Sequence, residues 1–188
     1  MSSPRIDVLP LDDAKKAAAE LGIPEQIAEL NVFRILLRQP RLAKSVNDLL
    51  MSLLFGGALD ARLRELIIMR IGWSTGSVYE WTQHWRVALQ LGVEESDLLA
   101  VRDWKSHSHW SDADRAILTA TDEVLESGCV SQTTWAACES QLPSDEERLE
   151  LLGAIGTWGM ISQILRSLEV PLEEGVAPWP PDGLEGGQ

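Results

Sequence analysis

Signals that open and close helices recur at short intervals along this chain, and they decide its fold class. No long stretch alternates apolar and polar residues, and no Asn-Gly or Asp-Gly pair joins two such stretches. Asp12 or Asp13 opens a segment that Gly22 closes. Pro24 suits a first helical turn, with Ile27, Leu30, Phe33 and Leu37 following at helical spacing. Pro40 begins a helix ending near Gly56, and Asp60 caps one carrying Leu63, Leu66, Ile67 and Ile71. Ser77 opens the next, which Gly92 closes. A short helix follows from Glu95 to Trp104, then one from Ser111 to Gly128 and one from Ser131. Ser144, with Glu147 three residues on, starts a long helix to about Leu168. The expectation is an all-α bundle of about eight helices: one domain over residues 1–170, then an acidic Pro/Gly-rich tail over 171–188 that is extended or disordered.

A formal charge of −13 argues against a nucleic-acid partner and against an anionic membrane surface, because both need a basic face. The start, MSSPRIDVLP, carries no apolar run, and no apolar run approaches the roughly 20 residues that span a bilayer. A cytoplasmic location is expected, and with it free Cys129 and Cys138, whose spacing matches no thiol redox motif. Gly153, Gly156 and Gly159 punctuate LLGAIGTWGMISQIL without the dinucleotide-binding spacing. Tight helix–helix approach would explain them, at the centre of the bundle or in a subunit contact.

The chemistry concentrates between Arg62 and Gly92. There Glu65, Ser77, Glu80 and His84 sit at spacings of twelve, three and four. Glu80 and His84 share a helix face, and a carboxylate beside an imidazole can move protons near neutral pH. Ser77 and Glu80 also form S-x-x-E, the capping-box pattern, so helix capping competes with chemistry as their role. Glu65 lies among Arg62, Arg64 and Arg70, where a salt-bridge cluster is the plain reading. His107 and His109, in WKSHSHW, have a spacing that can bind metal on an extended segment, but no further ligands stand nearby, so no metal is expected.

The runs R-x-R-E-L-I-I-M-R, S-V-Y-E-W-T-Q-H and A-L-Q-L-G resemble the carboxymuconolactone decarboxylase and alkylhydroperoxidase D-like family, with weaker likeness from about Asn31 to about Leu168. In the peroxidase branch of that family, a glutamate precedes a C-x-x-C-x-x-x-H element by twelve residues. Glu65 and His84 match its glutamate and histidine, while Ser77 and Glu80 stand where its cysteines would be. The chain is thus similar to an AhpD-like scaffold without the redox pair. The resemblance implies assembly as trimers or hexamers and a small-molecule substrate. It favours a chemical role for Glu80 and makes Glu65 the distal member of a proton relay.

On this reading Glu80, His84 and Glu65 are catalytic. Tyr79, Ser77, Trp81, Arg62 and Arg70 line the substrate pocket, with one arginine available for a substrate carboxylate. The resulting expectation is an acid–base enzyme without cofactor, acting by decarboxylation, isomerisation or cyclisation on a small organic acid, lactone or conjugated compound. Two alternatives stand beside it: a peroxidase, which would need a thiolate, and a non-catalytic binding or scaffold protein.

Overall fold

The computed structural model describes residues 3–179, 184 and 186 of the 188-residue chain. Among them are ten α-helices and no strand. The N-terminal part holds α1 (Leu11–Leu21), α2 (Glu25–Ala28), α3 (Asn31–Leu36) and α4 (Pro40–Leu54). The middle holds α5 (Ala61–Thr75), α6 (Val78–Gln90) and α7 (Glu95–Ala100), which runs into a 3-10 turn at Val101–Ser106. Then come α8 (Asp112–Ser127), α9 (Gln132–Gln141) and α10 (Asp145–Leu168). None of these helices is long and apolar enough to cross a membrane.

The all-α expectation holds, with more helices than the punctuation suggested. The stretch predicted from Pro24 to Leu37 is two helices, because Leu30 is extended (φ −69°, ψ 131°). That break frees the Asn31 N–H to donate to Glu173 at 2.8 Å. Capping chemistry fixes several boundaries. Asp60 accepts from the N–H groups of Arg62 and Leu63, and capping boxes form at Ser111/Asp114 and Ser144/Glu147. Gly76, at φ +68°, ends α5 in the left-handed conformation that glycine adopts without penalty.

Helix α5 carries Arg62, Arg64, Glu65 and Arg70 among its apolar residues, yet none of its residues is exposed. Leu66, Ile67, Ile68, Met69 and Ile71 are fully buried, and α6, α8 and α10 pack around them. A second apolar cluster joins α1–α4 to Tyr79 of α6 and to Ile161 and Leu165 of α10. Gly72 lets α6 lie close on α5, since a Cβ there would meet the Trp81 backbone nitrogen at 3.2 Å. The glycines of α10 admit no close approach of another helix of the same chain. Gly156 and Gly159 have no atom within 4 Å of a notional Cβ, and Gly153 makes only an ordinary contact with Leu53. Packing of α10 comes instead from Leu151, Ala154, Ile155 and Trp158.

The segment after α10 is extended and docked rather than loose. Trp179 stacks on Trp85 with ring centroids 4.0 Å apart, and its N–H donates to the Thr82 hydroxyl at 2.9 Å. The rest of the predicted tail, at 180–183, 185, 187 and 188, lies outside the described residues. Ile67→Ala should lower the unfolding free energy by about 2–5 kcal/mol, read from the urea midpoint at unchanged slope.

Candidate functional site

Glu65 lies on α5 with no exposed surface, among the fully buried Leu66, Ile67 and Ile68. A buried carboxylate needs partners, and two are present. His84 of α6 faces it with Nδ1 2.8 Å from Oε2, and Arg64 places Nε 3.4 Å from Oε1. The Trp158 indole N–H donates to the other imidazole nitrogen, Nε2, at 3.0 Å. A nitrogen that accepts carries no proton, so this network assigns the His84 hydrogen to Nδ1, where it donates to Glu65. Glu80 completes the group with Oε2 3.5 Å from His84 Nε2, close enough for charge coupling and too long for a good hydrogen bond.

These groups border a cavity of about 110 Å³. Its walls are apolar side chains of α2–α4 and α10, among them Ile27, Phe33, Leu50, Leu54 and Ile161. Glu80, His84, Gln83 and the Trp158 indole form its polar end. Burial, with the neighbouring Glu65 carboxylate, outweighs the pull of His84 and raises the Glu80 carboxyl to about 7. Burial also disfavours a charged His84, but the Glu65 and Glu80 carboxylates overcome it, so the imidazole holds its proton more tightly than usual. The Trp158 N–H works the other way, because it needs a lone pair on Nε2.

The remaining predicted residues are dispersed. Tyr79 lines the cavity, but its hydroxyl donates to Glu173, and burial and that carboxylate push its pKa far upward. Ser77 is buried away from the cavity; it makes no side-chain cap, and its Oγ has no partner among the described residues. Glu80 therefore does not share a capping box with it. Trp81 packs between Trp73 and Trp85 and does not reach the cavity.

Arg62 binds Asp97 and Asp114, each at 2.6 Å, and Arg70 binds Asp122 and the carbonyls of Val101 and Arg102. Both arginines tie α5 to its neighbours, leaving neither for a substrate carboxylate at the cavity. His109 pairs with Asp97 at 3.2 Å. Cys129 is exposed, Cys138 is buried against Ala116, and neither borders the cavity. Sequence reasoning missed Trp158, Gln83 and Glu173. Their partners lie up to 94 residues away, and no local pattern marks them.

The helix pair that supplies this site is also where similarity to known proteins is found. Residues 40–123 match the carboxymuconolactone decarboxylase family. That span holds Glu65, Glu80 and His84 and contains no cysteine; Trp158 and α1–α3 lie outside it. Solved structures share the fold. A protein of unknown function from Agrobacterium tumefaciens, described as a putative antioxidant defence protein AhpD, is 20% identical, with a TM-score of 0.67 over 72% of this chain and 93% of that one. A peroxidase-related protein with an alkylhydroperoxidase AhpD core from Ralstonia eutropha JMP134 is 16% identical, with a TM-score of 0.74 over 95% and 99%. The debrominase Bmp8, in complex with 2,3,4-tribromopyrrole, is 17% identical, with a TM-score of 0.67 over 87% and 86%. No curated protein matches the sequence significantly.

The raised proton affinities have a consequence for stability. The folded state binds protons at Glu80 and His84 that the unfolded chain has released, so their contribution is full in acid and is lost as pH rises, through about 7 for Glu80 and above the ordinary imidazole range for His84. Glu80→Gln should therefore gain on the parent between pH 5 and pH 8, by on the order of 2–3 kcal/mol in urea unfolding series at the two pH values.

Proposed function

We propose that the chain is an acid–base enzyme in which Glu80 exchanges a proton with a small substrate and His84, backed by Glu65, supplies or takes up the matching charge. One observation carries this reading: a carboxyl group with a pKa near 7 lines an apolar cavity beside an imidazole that is itself held by a buried carboxylate. A group poised near neutrality serves as both acid and base, and low polarity around it strengthens each charge interaction. Trp158 and Glu65 hold the ring in one tautomer, which removes the need to reorient it during proton transfer.

The family match supports decarboxylation, isomerisation or cyclisation of a small acid, lactone or conjugated compound as the reaction class. The apolar lining also suits a compact apolar group. Reduction of a peroxide by a thiolate is disfavoured, because no cysteine borders the cavity.

With a panel of small lactones and unsaturated acids, the parent protein should turn over at least one member. Glu80→Gln and His84→Ala should each then lower kcat by about 10²–10⁴-fold with the circular dichroism spectrum retained. Undiminished turnover in both variants would remove the proposal.

Self-assembly belongs to the same reading. Phe55, Leu149, Leu152 and Met160 are exposed on the α4 and α10 side. Glu150 of α10 accepts from the N–H groups of Ala58 and Leu59, which brings Phe55 and Leu149 to one corner of the molecule. Apolar surface gathered in this way fits a contact with another copy of the chain. Light scattering should give an oligomer for the parent, and Leu149→Glu should shift it toward the monomer.

A further inference from the structure

The cavity is small. An apolar cavity of ~150 Å³ holds benzene, so about 110 Å³ admits a head smaller than a six-membered ring. A second, more polar cleft of about 360 Å³ lies on the other side of Gln83, between α2, α6 and the segment after α10. Leu30 and Gln83 border both spaces. The Gln83 amide is fixed at both ends: its nitrogen donates to Glu173, and its oxygen accepts from Arg86 at 2.8 Å. Glu173 in turn accepts from the Tyr79 hydroxyl and the Asn31 N–H. Gln83, latched by a carboxylate on the C-terminal segment, thus stands with Leu30 between the two spaces.

We propose that the cavity and the outer cleft form one substrate channel, divided by Gln83, which Glu173 latches in place. The ligand it fits has a compact apolar head, placed beside Glu80 and His84, and a polar end that remains in the cleft near Arg86 and Gln26. Entry breaks the bond from Gln83 to Glu173 and swings the amide into the cleft, where water and Arg86 satisfy it. The inference rests on reading the cavity as a reaction chamber, but its test needs no turnover.

The test is the rate at which diethyl pyrocarbonate carbethoxylates His84, resolved by peptide mass spectrometry at a single pH. The exposed His107 serves as internal reference. In the parent, His84 should react far more slowly than His107. Gln83→Ala and Glu173→Ala should each speed His84 by about tenfold, the factor corresponding to net loss of one hydrogen bond to a charged group. Gln90→Ala, which alters the outer cleft without touching the cavity, should leave the rate unchanged. The proposal is overturned if folded Gln83→Ala or Glu173→Ala protein keeps the parental rate. It is equally overturned if Gln90→Ala matches their increase, which would mean general loosening. Should one of the two variants fail to fold, the other decides.

Discussion

The contact between Glu65 and His84 holds the two central helices to a purpose. An unpaired carboxylate at the heart of an apolar helix would cost several kcal/mol, so α5 tolerates Glu65 only because α6 delivers an imidazole to it and Arg64 lies alongside. Delivery depends on how closely the helices approach. Gly76 turns the chain sharply, and Gly72 leaves room for the α6 backbone. Once His84 is anchored on its Nδ1 side, its Nε2 side is committed to the cavity, and Glu80, one turn earlier on the same helix, follows it there. The hydrogen bond that secures α6 to α5 thus also fixes the groups that face the cavity.

The cavity exists because two apolar clusters meet imperfectly. The larger cluster surrounds α5, and the smaller one gathers α1–α4 against Tyr79, Ile161 and Leu165. The family match begins at residue 40, so the helices that roof the site lie partly outside it. Chemistry and enclosure therefore come from different parts of the chain. Glu65, Glu80 and His84 arise from one helix pair, while Ile27, Leu30 and Phe33 set what can sit beside them.

Much of the fold was legible because helix ends are local. The Asp60 cap, the Ser144/Glu147 box and the glycines at 22, 76, 92 and 128 act on residues within one turn. Glu80 and His84 were legible for a related reason, since four residues apart on one helix they share a face, whereas Glu65 was singled out only by the resemblance to the family's glutamate. The same locality misled elsewhere. Ser77 and Glu80 have capping-box spacing, yet the Glu80 carboxyl turns into the cavity. Arg62 and Arg70 sit one or two turns from Glu65, but their carboxylate partners lie 35 and 52 residues onward. Glycines in α10 suggested close packing that is not found among the described residues of the chain. Trp158 and Glu173 reach the site only through tertiary folding, which no window of sequence displays.

The bond from the Trp158 indole to His84 Nε2 equips the protein with an optical probe of its own. Protonating that nitrogen removes the lone pair the indole points at and sets a cation against its edge, a change that quenches indole emission. Seven other tryptophans contribute to the total signal, and none of them is hydrogen-bonded to an imidazole among the described residues. The difference between parent and Trp158→Phe emission, followed against acidity, would therefore trace the charge on a single ring without any label.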